Sequence, residues 1–463
     1  MSENAKRRAL LEKQKNGYDV MSAEELKACH EFNEDYKYFI DAAKTEREAV
    51  DYAVEAAKAA GFKPYKRGDK LKPGDKIYQV NRGKAIAVMV IGQHDVHDGI
   101  NISGAHIDSP RIDLKMSPLF EDHEIAFFKT HYYGGIKKYQ WVNIPLELHG
   151  VIALKDGTVI KVRYGDKPED PIFIINDLLI HLSAEQMKKG AAEVVPAESM
   201  NAIVGTIPDA EDDGSDRVKL AVMGIINDMY GITEADFHSA ELTLVPAMNA
   251  RDVGFDRSLI AAYGHDDRVC AYDSLRAVLD TKNPTKTIMC LLVDKEEIGS
   301  TGVSGANCRW FDTLCEDIAA EFGMSLRECF ERSFCLSNDV AAAFDPNYPQ
   351  PFDPRNAPKL NYGLGVAKYT GSRGKSGASD ASAELVARVR NMFDNAGVLW
   401  QMAPLGAVDA GGGGTIAGIT AQRNIDTIDA GVPVLSMHAP YEIISKVDNY
   451  MSYKGMLAVF NEK

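Results

Sequence analysis

Potential metal ligands end or follow apolar runs at several points along this sequence. Short, continuously apolar runs are typical of buried β-strands. The residues at their ends are His106 and Asp108, Glu296 and Glu297, Asp339, and His438. A further acidic pair, Asp266 and Asp267, precedes a predicted helix. In open α/β sheets, ligands bind beyond the carboxyl ends of the strands, so we expect these side chains to meet at one edge of a sheet.

The residue types suit a pair of divalent metal ions. Two such ions about 3.5–4 Å apart need one bridging carboxylate and further ligands on each side. Histidine, aspartate and glutamate are zinc ligands, and a catalytic site keeps positions open for water and substrate. A set of five residues would supply one bridge and two ligands for each ion: His106, Asp266, Glu297, Asp339 and His438.

Glu296 and Asp108 remain once five ligands are assigned. Glu296 is free to act as a general base beside the ligands. Asp108 stands two residues after His106 on a predicted strand, so it points the same way and could orient that imidazole or another ligand. Taken singly, each residue also has a structural explanation, as a core histidine, a solvated glutamate pair or a helix cap. The ordered set favours a metal hydrolase.

The order and spacing of these motifs resemble the aspartyl aminopeptidase and aminopeptidase I family of zinc peptidases over nearly the whole chain. The matching segments are GAHIDSPR, DLLIHL, RDVGFDRSLIAAYGHDD, DKEEIGS, SNDVAAAFDPNY, VAKYTG, GGGGTIA and SMHAPYE. The resemblance implies two zinc ions per subunit, with Asp266 as the bridge and Glu296 as the base. The other ligands that it implies are His106, Glu297, Asp339 and His438. Cobalt or manganese are possible substitutes, since carboxylate-rich sites accept both.

Asp267 directly follows the expected bridge and stands where relatives often have asparagine. It is the chief rival for the bridging role. Well-known relatives also carry histidines shortly after the residue that matches Asp339, where this chain has Ala342 and Asp345.

The run GGGGT at 411–415 lacks the spacing of a phosphate-binding loop, so nucleotide binding is excluded. The resemblance places this run near the active site.

Two residues are assigned to substrate binding by the same resemblance. His181, in DLLIHL, resembles a histidine that reaches the active site of a neighbouring subunit. Lys368, in GLGVAKYTG, resembles a pocket lysine that faces the acidic side chain of the substrate in acid-preferring relatives. We therefore expect a preference for peptides with N-terminal Asp or Glu, with neutral residues such as Leu as the alternative.

The elements that must position these residues indicate an α/β protein. Near-continuously apolar runs at 85–92, 101–108 and 287–294 predict a central mixed, mostly parallel sheet flanked by helices. Helices are also predicted from 4 to 60. Alternating, glycine-punctuated segments predict a β-rich insertion at 117–247. The catalytic domain would then comprise 1–116 and 248–463, and the resemblance makes the insertion a dimerisation domain.

Composition limits the partners of this chain of 463 residues. The net charge of -15 argues against nucleic acid and anionic membranes, and no apolar run approaches the roughly 18 residues of a membrane span. The seven cysteines are odd in number and lack CxxC spacing, and the N-terminus has no apolar signal region. We therefore expect a cytoplasmic enzyme that acts on peptides. Assembly into a homo-oligomer, a dodecamer in relatives, is implied by the resemblance.

Two other functions remain open from the sequence. A different dimetal hydrolase, such as a carboxypeptidase, dipeptidase or deacylase, could use the same ligand types. A non-catalytic assembly or cargo-binding protein could have kept the fold, although the complete ligand set and Glu296 count against it.

Overall fold

The computed structural model describes residues 7, 8 and 10–463, so the start of the predicted helical region at 4–60 lies outside the described residues. Within the described part, two long N-terminal helices each begin with a capping box, formed by Ser22 with Glu25 and by Thr45 with Glu48. The helices are α1 (Gly17–Val20), α2 (Ala23–Ala42), α3 (Glu46–Ala59), α4 (Arg217–Tyr230), α5 (His265–Asp280), α6 (Trp310–Glu321), α7 (Leu326–Glu331), α8 (Ala383–Asn395), α9 (Ala417–Ala421) and α10 (Lys446–Phe460).

The strands form three sheets. In chain order they are β1 (Lys63–Pro64), β2 (Lys76–Asn81), β3 (Ala85–Val90), β4 (Ile100–His106), β5 (Arg111–Asp122), β6 (Ile125–Tyr133), β7 (Leu146–Ala153), β8 (Val159–Tyr164), β9 (Ile174–Ile175), β10 (Ala202–Gly205), β11 (Ala240–Pro246), β12 (Arg251–Val253), β13 (Leu259–Ala262), β14 (Thr287–Val293), β15 (Phe334–Ser337), β16 (Ala341–Ala342), β17 (Leu364–Ala367), β18 (Trp400–Met402), β19 (Asp426–Gly431), β20 (Pro433–Leu435) and β21 (Glu442–Ser445).

A nine-stranded sheet forms the centre of the fold, in the order β1-β2-β3-β14-β4-β15-β19-β17-β18. Its neighbours β14, β4, β15 and β19 run parallel to one another, while β3 and β17 run antiparallel to their inner neighbours. Ile86 and Val88 of β3 pack into a core with α2, α3, α5, α8 and α10. Ala87 and Met89 face the opposite core with α6 and α7. Helices thus cover both faces, and the predicted α/β fold is confirmed.

A seven-stranded antiparallel sheet is formed between Arg111 and Pro246, in the order β8-β7-β11-β5-β6-β10-β9. It has a core of its own, which includes the buried Trp141 and the inner face of α4. The sheet spans 111–246, which overlaps the β-rich insertion predicted at 117–247 but begins six residues earlier. Its role in dimerisation stays a prediction.

A five-stranded sheet, ordered β12-β13-β21-β20-β16, brings two distant segments together. Because Ala262 of β13 pairs with Glu442 of β21, the start of α5 lies beside the loop between β20 and β21.

None of the described helices is both long and apolar enough to cross a membrane. All seven cysteines are free thiols, and all but Cys308 are buried.

Candidate active site

The first group of potential ligands lies at the carboxyl ends of two neighbouring parallel strands. His106 is the last residue of β4, and Asp339 follows β15 by two residues. The Nδ1 atom of His106 lies 2.9 Å from the main-chain oxygen of Asp108, which leaves Nε2 free for another partner. This Nε2 is 3.2 Å from Oδ1 of Asp266 and 3.9 Å from Oδ1 of Asp339.

The second group lies on two loops. His438 lies between β20 and β21, and Glu297 lies in a short 3-10 turn, Glu296–Ile298, beyond the end of β14. Nδ1 of His438 donates to the main-chain oxygen of Gly135 at 2.7 Å. Its Nε2 is 3.1 Å from Oδ2 of Asp266 and 3.5 Å from Oε1 of Glu297. The two oxygens of Asp266 therefore face one imidazole each.

These separations fit metal ligation. Donor atoms at 2.0–2.1 Å from a tetrahedral zinc ion lie about 3.3 Å from each other, and the four distances from the two Nε2 atoms range from 3.1 to 3.9 Å. Oε1 of Glu297 is buried and has no hydrogen-bond partner among the described residues. A buried carboxylate oxygen without a donor is costly, so a cation at this place would satisfy it.

The electrostatics indicate the same need. Burial would raise the pKa of Asp266, but the two adjacent imidazoles hold it below its usual value. Burial alone lowers the pKa of His438, whereas Asp266 and Glu297 together raise it to about 10. Burial and nearby carboxylates raise the pKa values of Glu297 and Asp339 well above their usual range. Crowded acidic groups of this kind are relieved by a divalent cation.

Asp108 connects the two groups. Its Oδ1 accepts a hydrogen bond from the backbone N–H of Glu296 at 3.1 Å, and its Oδ2 accepts one from the N–H of Glu297 at 3.2 Å. Oδ1 also lies 3.3 Å from Nδ1 of His106, and Oδ2 accepts from the hydroxyl of Tyr133 at 2.8 Å. Asp108 is fully buried. It therefore fixes the turn that carries both glutamates.

Glu296 and Asp267 both lie close to the potential ligands. Oε2 of Glu296 is 4.0 Å from Nε2 of His106, and burial raises the pKa of this carboxyl. Oδ2 of Asp267 accepts from the backbone N–H of His106 at 3.2 Å, and burial raises its pKa. Both side chains belong to groups of carboxylate or imidazole atoms that lie within 4.8 Å of one another and could hold an ion.

A cavity of about 440 Å³ opens onto these side chains. Small and apolar residues form much of its wall, including Ala341, Ala342, Ala367, Ala403 and Met437. The glycine-rich run contributes 412–414, next to Thr415 and Asp429. Ala342 thus lines the cavity at a place where well-known relatives have a histidine, whereas Asp345 is not among the lining residues.

Two predicted substrate-binding residues do not line this cavity. Nζ of Lys368 contacts Oδ1 of Asp380 at 2.8 Å, and both side chains are partly exposed. Its neighbours Ala367 and Thr370 do line the cavity. His181 is exposed in a 3-10 turn, Ile180–Leu182, outside the catalytic cavity of its own chain.

Glu442 is a site residue that was not predicted from the sequence. It is buried, and its two oxygens accept from the backbone N–H groups of Asp266 at 3.0 Å and of His438 at 2.6 Å. Burial raises the pKa of this carboxyl to about 8. A glutamate four residues after His438, in SMHAPYE, was the available signal, but only the register of β13 with β21 brings it to Asp266.

Two imidazoles and several carboxylates that converge on one cavity in an α/β fold define a metal-dependent hydrolase. The sequence profile of the aminopeptidase I zinc metalloprotease family (M18) matches residues 39–460. The chain therefore belongs to this family, and it is a metalloaminopeptidase. The predicted family resemblance is confirmed.

Relatives of similar length agree with this assignment. A probable M18 family aminopeptidase 1 of Clostridium acetobutylicum is 46% identical over 460 residues, which cover 98% of this chain and 99% of the relative. The crystal structure of an M18 aminopeptidase from Thermotoga maritima has a TM-score of 0.93 at 46% identity, covering 98% of this chain and 100% of that one. A structure of the S. cerevisiae mApe1 dodecamer has a TM-score of 0.75 at 19% identity, with 94% and 96% covered, and shows the shared fold.

Proposed function

We propose that this aminopeptidase uses two zinc ions held on either side of Asp266. The observation that carries the proposal is that its two carboxylate oxygens face different imidazoles, His106 at 3.2 Å and His438 at 3.1 Å. Asp339 would complete the first position and Glu297 the second. Cobalt or manganese could replace zinc, since the ligands are carboxylates and imidazoles. Asp267 contacts the backbone of His106, which favours Asp266 as the bridge.

Glu296 is the proposed general base. When bound, two divalent ions polarise the scissile carbonyl and stabilise negative charge in the transition state. Glu296 takes a proton from the attacking water and delivers it to the leaving amine. Asp108 holds the backbone of Glu296 through the 3.1 Å hydrogen bond, so that this carboxylate keeps its place beside His106. Asp108 is thus a positioning residue.

Two classes of N-terminal substrate residue are candidates for the preferred one, acidic and neutral. A preference for Asp or Glu would rely on Lys368, but Asp380 already pairs with this ammonium group and an acidic substrate would have to displace it. The small and apolar wall formed by residues such as Ala341, Ala403 and Met437 supports the alternative, a neutral residue such as Leu. A panel of aminoacyl substrates, assayed with zinc, cobalt and manganese, decides between them.

The assembly of subunits is proposed from the insertion at 117–247. His181 is flanked by exposed apolar side chains, Leu179 at 53% and Ile180 at 70% exposure. Exposed apolar groups of this kind mark a protein interface. A dodecamer, as in the mApe1 structure, with His181 reaching the active site of a neighbouring subunit would cover them. Seven free cysteines fit a reducing compartment such as the cytoplasm.

The test of the proposed reaction compares peptides with free and with blocked N-termini. We expect hydrolysis of a free dipeptide or aminoacyl fluorogenic substrate and none of its N-acetylated counterpart, with loss of activity on chelation and recovery with zinc. Faster hydrolysis of the N-acetylated substrate would instead indicate a deacylase or carboxypeptidase.

A further inference from the structure

The two groups of ligands differ in how they are held. His106 ends β4 and pairs with Val293 of β14. Asp339 follows the adjacent strand β15 by two residues, directly after Asn338, whose backbone N–H donates to the main-chain oxygen of Gly104 in β4. Glu297 and His438 lie in loops outside any strand, and His438 has a positive φ of 66°. A loop does not hold a ligand as precisely as a strand does. The loop-borne pair therefore requires support from elsewhere in the chain.

Three consecutive residues at the end of a strand of the seven-stranded sheet lie beside this pair or beside Asp108, which holds Glu297. We name Tyr133, Gly134 and Gly135 the 133–135 segment; it begins at the last residue of β6. The Tyr133 hydroxyl donates to Oδ2 of Asp108 at 2.8 Å, the same oxygen that accepts from the N–H of Glu297. The tyrosine ring is itself fixed, because the guanidinium of Arg111 lies 3.9 Å from its centre.

The two glycines contact the ligands directly. Gly134 has a φ of +76°, which favours glycine, and a Cβ atom there would lie 3.3 Å from Oε2 and 3.4 Å from Cβ of Glu297. The main-chain oxygen of Gly135 accepts the Nδ1 proton of His438 at 2.7 Å. In the neutral imidazole this hydrogen bond fixes the proton on Nδ1, so that the lone pair of Nε2 faces Asp266 and Glu297, as a metal ligand requires.

We propose that the 133–135 segment is a positioning element for the Glu297–His438 metal position, and that the inserted sheet sets the affinity of this position. The inference rests on the proposed two-metal site. It goes beyond that site because it assigns to the insertion a role within a single chain, apart from assembly. Loss of an outer contact to a metal ligand typically lowers metal affinity by about 10- to 100-fold. Tyr133 bonds the Asp108 oxygen that holds Glu297, whereas His106 lies beside the other oxygen, so only one of the two metal positions should show this loss.

The test measures two zinc affinities by competition with a chromogenic chelator. Tyr133→Phe removes one hydroxyl, and Tyr132→Phe is its control, because Tyr132 is 39% exposed and points to the other face of β6. Gly134→Ala adds a methyl group against Glu297. Its control is Gly157→Ala, at a φ of +89° with no atom within 4 Å, which reproduces the backbone strain alone.

We expect the wild type and both controls to bind two zinc ions per chain with unchanged affinities. Tyr133→Phe and Gly134→Ala should each weaken one of the two ions by about 10-fold or more and leave the other unchanged. Wild-type affinity for both ions in both variants would overturn the role of the 133–135 segment while leaving the proposed function intact. A wild type that binds fewer than two ions would overturn the proposed function and this inference together. Circular dichroism of each zinc-free variant checks that the fold is kept.

Discussion

Replacement of Glu296 by glutamine separates a general base from a metal ligand. Oε2 of Glu296 and Oδ1 of Asp339 lie at nearly equal distances from Nε2 of His106, 4.0 and 3.9 Å. We propose that Asp339 is the metal ligand and that Glu296 is the general base. Glu296→Gln and Asp339→Asn make the same chemical change, a carboxylate to an amide of similar volume, and so form a matched pair.

The expected magnitudes differ in kind. Loss of a general base lowers kcat by about 10²- to 10⁴-fold, which corresponds to roughly 3–5 kcal/mol in the activation free energy. Loss of a ligand acts on metal binding. A structural zinc ion held by four ligands with about 10–16 kcal/mol gains about 3 kcal/mol from each. If each ligand contributes a similar amount here, removal of Asp339 lowers the affinity of its ion by roughly 10²-fold.

The assay combines elemental analysis with steady-state kinetics at saturating zinc. Glu296→Gln should retain two zinc ions per chain and lose at least about 10²-fold in kcat with little change in KM. Asp339→Asn should lose one zinc ion on gentle dialysis. The assignment would be refuted if Glu296→Gln loses an ion as readily as Asp339→Asn does, or if it keeps near wild-type kcat.

Three further predictions concern specificity, assembly and metal-dependent stability. If Lys368 binds acidic side chains, Lys368→Met should lower kcat/KM for Asp and Glu substrates by at least about 10-fold more than for Leu substrates. Lys375→Met, which breaks the other contact to Asp380, is the control. An equal effect of Lys368→Met on all substrates would exclude that role. His181→Phe should lower activity and retain both metals. The control His123→Phe, at an exposed turn, should change neither the activity nor the metal content. Full activity of His181→Phe would refute the contact with a neighbouring subunit. Chelation should lower Tm, and zinc at 100 times Kd should restore about 2.7 kcal/mol for each ion; a Tm that ignores zinc would contradict ligation by the buried carboxylates.

Much of the fold could be predicted because the strands carry their own signal. The continuously apolar sequences of β3, β4 and β14 indicate strands with both faces covered, and the structure places helices on both faces. Strand ends also predicted the positions of His106 and Asp339, since parallel neighbours end at the same edge of a sheet.

The supporting contacts could not be predicted, because they depend on register between distant segments. Glu442 reaches Asp266 only through the pairing of β13 with β21, and Gly135 reaches His438 across 303 positions of sequence. Lys368 was predicted to face an acidic side chain of the substrate, and in the structure its ammonium group pairs with Asp380, twelve residues later in an exposed segment. No local pattern indicates such pairings.

The most direct test of the two-metal site is anomalous diffraction at the zinc absorption edge from crystals of the zinc-loaded enzyme. We expect two peaks about 3.5–4 Å apart, one at about 2.1 Å from Nε2 of His106 and the other at a similar distance from Nε2 of His438, with one oxygen of Asp266 bound to each. A single peak, or two peaks bridged by Asp267 with Asp266 unbound, would contradict the account.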